Sequence, residues 1–246
     1  MTPIYLIPGI GTDARMFEFV TARLEPAFEC IGWDLPGYGN APLREAYGFA
    51  DLARWLVDDF DRRGHDTAYV VGHSIGGMAA LEFAHSFPER LDGLILSGTT
   101  PAFGSRDGAF EAQFLDARLG PLDAGSTMAD LARSAPAELL GSRAGPDVAR
   151  RVEALLAEVP EAAFRQAIAC LVTFNRREAL KTILTPTLLI SGEEDRSAPL
   201  KTMERMVTSM PRAAIEVLRG VGHMAPLEAP DTFAQAIRYF IEETRR

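Results

Sequence analysis

The chain has 246 residues, 47% hydrophobic and 24% charged, with a net charge of −9 from 25 basic and 34 acidic side chains. That length and balance suit one large domain, or one domain with an insertion, able to bury a core without metals or disulfides. The acidic excess argues against a nucleic-acid partner, which needs clustered Lys and Arg; the dense basic pairs Arg62-Arg63, Arg150-Arg151, Arg176-Arg177 and Arg245-Arg246 read as solvated helix faces or ends.

The first apolar run, residues 4–7, reads as a short buried strand broken by Pro8-Gly9 and Gly11. A helix follows over 16–24 and a second strand over 28–33. That strand ends in Asp34-Leu35-Pro36-Gly37-Tyr38-Gly39, a loop dense in turn residues. Residues 49–62 have helical spacing, with Leu52, Trp55, Leu56, Val57 and Phe60 along one side. Residues 67–71 form a third strand, 75–87 a helix closed by Pro88, and 91–97 a fourth strand. Segment 101–182 holds several Gly and Pro breaks, no convincing strand, and at least two amphipathic helices near 148–158 and 162–174. The alternation then resumes: strand 187–191, helix 200–210, strand 214–218, helix 232–244.

Strands alternating with helices imply parallel βαβ units, hence an α/β fold in which a mostly parallel twisted sheet carries helices on both faces. Residues 1–100 and 183–246 would form the core. Segment 101–182 would be a helical cap insertion over the C-terminal strand ends, where such sheets place their ligands. Cys30 and Cys170 lie among apolar neighbours, with no CxxC and no Cys/His cluster, so both read as reduced thiols packed as small hydrophobes. No apolar run approaches the ~18–20 residues of a membrane span. The N-terminus enters a strand without a basic leader, so a cytoplasmic protein with no membrane partner is expected.

Gly72-His73-Ser74-Ile75-Gly76, followed by Gly77, fits G-x-S-x-G. A strand runs into it and a helix leaves from it, the context of a nucleophile elbow, where the serine sits on a tight turn with its hydroxyl exposed. Small residues two before and two after prevent collision at that turn. On these residues the chain resembles the α/β-hydrolase superfamily, in its group of capped esterases, lactonases and carbon–carbon bond hydrolases. The resemblance covers nearly the whole chain and is weakest over 101–182.

A serine hydroxyl needs a base. His73 adjoins the serine and reads as structural, pointing elsewhere on the turn. His85 lies on the following helix, and His65 sits at the wrong end of the sheet. His223, in Gly220-Val221-Gly222-His223-Met224 with Glu228 and Pro230 soon after, resembles the superfamily's late Gly-His loop. Gly192-Glu193-Glu194-Asp195-Arg196-Ser197-Ala198-Pro199 resembles its G-x-x-D-x-x-x-P pattern. That match selects Asp195 as the acid that orients the base and leaves Glu193 and Glu194 as solvated loop charges. Asp107, within the insertion, is the runner-up acid. The order Ser74, Asp195, His223 is the one expected of this fold.

The resemblance also implies two oxyanion donors, the backbone N–H groups of Ile75 and of Ile10 in Pro8-Gly9-Ile10-Gly11. Many relatives carry His-Gly where this chain has Pro8-Gly9, which bears on the subfamily rather than on the hole. Asp34 through Gly39 resembles a structural D-x-x-G-x-G loop shaping one wall near the elbow.

The insertion offers Phe103, Phe110, Phe114, Leu115, Leu119, Phe164, Leu171 and Phe174 for its own core and for an apolar pocket. Its 10 basic and 11 acidic residues nearly cancel, although Arg176 or Arg177 could hold a carboxylate. The reaction implied is hydrolysis of a carboxylic ester or lactone of a small, largely apolar substrate through an acyl-enzyme. No metal or organic cofactor is expected, and the protein would be a monomer or homodimer. A carbon–carbon hydrolase of a vinylogous diketone would use the same three residues. Gly11-Thr12-Asp13-Ala14-Arg15-Met16 resembles a loop of enol-lactonases. Dehalogenases and epoxide hydrolases use an aspartate nucleophile, and hydroxynitrile lyases usually carry a lysine where Met224 stands. A ligand-sensing relative without activity is the alternative of another class.

Overall fold

Six short runs rich in Val, Ile and Leu pair into one sheet. They are β1 (Thr2–Ile7), β2 (Phe28–Gly32), β3 (Ala68–His73), β4 (Leu91–Ser97), β5 (Thr187–Gly192) and β6 (Ala213–Leu218). The structure is a computed structural model that describes residues 1–25, 27–104 and 108–245. Every strand pair is parallel, in the order β2-β1-β3-β4-β5-β6. β1 therefore has β2 on one side and β3 on the other. The connections leave in opposite directions there and open a crevice beyond the strand ends.

A parallel sheet is buried on both faces, so its central strands are apolar at every position rather than at alternate ones. β3 and β5 are buried along their whole length. Side chains still alternate between two cores. Tyr5, Ile7, Val70, Leu94, Leu96 and Leu189 join one cluster with α2 (Phe49–Arg63), α3 (Ile75–Ser86) and α8 (Leu200–Ser209). Ile4, Leu6, Val71, Ile95 and Ile190 join the other with α1 (Glu18–Leu24) and α10 (Pro230–Thr244). Each fully buried Leu or Ile contributes about 1.5–3 kcal/mol, so these two layers dominate the stability.

Four helices separate β4 from β5: α4 (Ala109–Asp123), α5 (Met128–Leu139), α6 (Pro146–Ala157) and α7 (Glu161–Leu171). The third and fourth match the two helices expected there; the first two were not anticipated. The chain enters and leaves this segment side by side. Phe103 N–H donates to the Phe174 carbonyl at 2.8 Å and Arg176 N–H to the Pro101 carbonyl at 2.8 Å, around an antiparallel bridge between Ala102 and Asn175. A short helix α9 (Ala225–Glu228), also unanticipated, precedes α10. Among the described residues no helix is long and apolar enough to cross a membrane.

Candidate active site

β3 runs out at His73, and α3 begins at Ile75. Ser74 between them has φ 55°, the only positive φ outside glycine among the described residues. A side chain is held in that sparsely populated region only where the surroundings over-determine it. Here they do. Ser74 N–H donates to the Ser97 carbonyl of β4 at 2.9 Å, and the Ser74 carbonyl accepts from Gly77 at 2.9 Å and Met78 at 3.2 Å. Thr99 Oγ1 donates to the same carbonyl at 2.8 Å. The turn also presses on β1: a Cβ on Gly76 would stand 2.3 Å from the Ile7 carbonyl oxygen, so only glycine fits. The loop after β1 also comes close, though less tightly, since a Cβ on Gly9 would stand 3.1 Å from Ser74 Cβ. Ile75 opens α3, among the N–H groups a helix leaves without intrahelical acceptors.

Ser74, Gly9, Ile10 and His223 line one cleft of about 1040 Å³. His223 follows β6, and its Nδ1 lies 2.8 Å from Asp195 Oδ2. The other Asp195 oxygen accepts from the N–H groups of Ser197 at 2.8 Å and Ala198 at 2.9 Å. Burial works to raise the Asp195 carboxyl, but the charge and hydrogen bond of His223, helped by the Ala198 N–H, outweigh it and hold the group below its ordinary value. The acid is thus kept ionised behind the imidazole, the arrangement that fixes one tautomer and aims Nε2 away from the carboxylate.

Several sequence readings need correction. His73 does not point away from the site. It lines the cleft and lies ring to ring with His223, with centroids 4.8 Å apart. Its Nδ1 is 3.2 Å from Ser97 Oγ, its Nε2 is buried without a partner, and burial followed by the charge of His223 holds it well below its ordinary value. Glu193 is exposed and Glu194 only partly shielded, as solvated loop charges are, but each also braces a loop. Glu193 accepts from Gly220 N–H at 3.0 Å, and Glu194 accepts from Ser142 N–H at 2.7 Å and Ser142 Oγ at 2.6 Å. The sequence carried no sign of these bonds, because their donors at Gly220 and Ser142 lie far along the chain. Arg176 donates to the buried Glu82 at 2.7 Å, while Arg177 lines the cleft. Asp34 braces the turn before α1, accepting from Ala14 N–H at 2.6 Å, and its loop packs on Ala163 of α7 through Gly37.

Of the apolar candidates in the insertion, Phe103, Phe110, Phe114, Phe164 and Leu171 line the cleft, whereas Phe174 packs on Phe49 with centroids 4.5 Å apart. Asp107 lies outside the described residues. His85 is exposed, and His65 is 2.9 Å from the Tyr5 hydroxyl, remote from the cleft lining. Cys30 and Cys170 are free thiols that burial pushes up to about 11 and about 12, so neither is a ready nucleophile. Among the described residues no group of three or more His, Cys, Asp or Glu side chains could hold a metal ion.

A family model described as the alpha/beta hydrolase family matches residues 4–236. The chain belongs to the alpha/beta hydrolase family. Within the family it is similar to a pimeloyl-[acyl-carrier protein] methyl ester esterase of Aeromonas salmonicida, 26% identical over 243 residues that cover 97% of this chain and 94% of the relative. Among solved alpha/beta hydrolase structures, a thermophilic esterase from Thermogutta terrifontis superposes with a TM-score of 0.92. It is 23% identical and covers 100% of this chain and 91% of its own. An enol-lactonase from Burkholderia xenovorans superposes with a TM-score of 0.88 at 19% identity, over 98% and 92% of the two chains. The curated relative supports a hydrolase, and the two solved structures share its fold.

Proposed function

We propose that the protein hydrolyses carboxylic esters of small, largely apolar acids through an acyl-enzyme on Ser74. The observation that carries this reading is one cleft holding both a serine at φ 55° and a histidine whose far nitrogen is bonded to a buried carboxylate. Ser74 Oγ attacks the ester carbonyl carbon while His223 Nε2 takes its proton. Backbone N–H groups of Ile10 and Ile75 hold the oxyanion that forms. The C–O bond to the alcohol then breaks, and His223 returns the proton to the departing oxygen. Water, deprotonated by His223, attacks the acyl-enzyme and releases the acid and the free serine. Segment 101–182 acts as the cap, its phenylalanines providing the apolar wall against which the acyl chain rests. The methyl ester esterase relative supports ester chemistry over carbon–carbon cleavage.

The test is turnover of p-nitrophenyl esters of graded acyl length, with Ser74→Ala alongside. A rate that peaks at one length and falls on the order of 10⁴-fold in the variant is expected; a variant within about tenfold of the parent would falsify the assignment. If no ester turns over while a fluorophosphonate still labels Ser74, the substrate is a lactone or a vinylogous diketone. If nothing labels, the cleft is a sensor's.

A further inference from the structure

The half-buried carboxylate of Glu228, at the end of α9, is committed to three backbone N–H groups. Oε1 accepts from Met224 at 3.0 Å and Gly222 at 3.1 Å; Oε2 accepts from Gly141 at 2.8 Å and Gly222 at 2.9 Å. Gly222 and Met224 are the two neighbours of His223, so the clamp grips the chain on both sides of the imidazole. Gly141 belongs to the loop between α5 and α6. The His223 N–H itself donates to the Leu139 carbonyl at the end of α5, at 2.7 Å. The histidine loop is therefore fastened into the inserted helices at two points, and Glu228 makes one of them.

A carboxylate is suited to this place because it only accepts. Burial pushes the group up from its ordinary value, the three N–H bonds and His223 pulling the other way. An amide of the same shape must turn its NH₂ toward Gly141 and Gly222, or toward Gly222 and Met224. Either choice sets donor against donor and leaves at least one N–H without an acceptor. We propose that Glu228 is a positioning residue: its carboxylate fixes the orientation of the His223 imidazole and links that orientation to the seat of the α5–α6 loop. The proposal rests on the reading of His223 as the base in ester hydrolysis. His223 must meet Asp195 at one nitrogen and the serine at the other, so freedom at residue 222 or 224 is felt directly in the rate.

Glu228→Gln is the test, compared with the parent on p-nitrophenyl acetate and octanoate. Melting temperature and the low-field proton resonance of the His223–Asp195 hydrogen bond are recorded for both proteins. The expected result is a kcat lower by about tenfold or more on both esters, with a shifted or broadened resonance. KM should change less than about twofold, because the acyl wall is untouched. A kcat within about twofold of the parent, with only the melting temperature reduced, overturns the proposal and leaves Glu228 a structural brace. A rise in KM confined to octanoate also overturns it, since the clamp would then serve the cap alone. If the parent has no Ser74-dependent ester turnover, the ester reading fails instead, and the resonance still decides the positioning role. Should the amide variant not fold, Glu228→Asp, which keeps the charge on a shorter arm, is judged by the same criteria.

Discussion

His73 and His223 lie ring to ring, yet one is engaged by a carboxylate and the other has a nitrogen with no partner. Sequence alone separated them by motif and chain order, and it picked out Ser74, Asp195 and His223, which the fold brings to one cleft and its margin. It did not reveal that His73 lines that cleft, because the direction of a side chain at a strand end depends on the turn that follows. His73 is held neutral by burial, and its unfolded counterpart takes a proton near ~6.5. Folding stability from this group is therefore complete above that pH and falls as the pH drops below it, with a slope approaching ~1.4 kcal/mol per pH unit. Asp195, held low, loses its contribution only as the pH falls below its ordinary carboxylate value, whereas Glu228, held high, acts from its ordinary value upward, where it costs stability as the pH rises. Between about pH 7.5 and 5.5 the difference between parent and His73→Phe isolates His73. Urea midpoints across that window should fall more steeply in the parent. Parallel lines would show that His73 is not buried neutral.

At the level of elements, the strand-to-helix turn carries most of the constraint. Gly76 meets backbone oxygens of Ile7 and Pro8, 2.3 and 2.6 Å from where a Cβ would be, and backbone cannot swing aside as a side chain can. Gly76→Ala must push α3 away from β1. A destabilisation of about 1–3 kcal/mol is expected from such overpacking. The displaced atoms adjoin Gly9 and Ile10, so the ester rate should fall as well, by more than about tenfold. A melting temperature and kcat equal to the parent's would mean that the turn is looser than its contacts imply. The central strands were legible because a doubly covered parallel sheet leaves continuous apolar runs, while the edge strands β2 and β6 are interrupted by Glu29 and Glu216. Helices α4 and α5 were not, for a physical reason: Pro121 and Pro136 lie inside them and read as breaks. The apolar residues of α4 also spread around its circumference, which hides the helical period. Thr127 and Asp130, which bond reciprocally as a capping box at the start of α5, were the local signal available.

At the scale of the molecule, the chain enters and leaves α4–α7 through the paired stem at residues 101–103 and 174–176, and these helices are also tied to the strands' side of the chain at their edges. Arg15 pairs with Glu158 at 2.7 Å, Arg151 with Glu18, and Gln166 with the Glu45 carbonyl at 2.7 Å. These contacts are exposed, and exposed ion pairs are worth about 0–1 kcal/mol each. The pair at the stem is different. Arg176, beside the Asn175 bridge, reaches to Glu82 on α3, whose side chain is only 3% exposed. Arg176→Leu would strand that carboxylate without a cation, and such a loss costs about 3 kcal/mol at neutral pH, the lower end of the usual range because Arg176 itself is partly exposed. Adding Glu82→Leu removes the stranded charge and should recover most of the stability, since an apolar pair of similar volume is often as stable as a buried ion pair. Denaturant titrations of both single variants and the double variant measure the coupling. If the double variant is no more stable than Arg176→Leu alone, the cost lies in lost packing at the stem and not in an unpaired charge. If it recovers, the same proteins show whether the stem's seat matters to catalysis, because a restored stem with parental kcat and a raised KM would place Arg176 in the shaping of the cleft.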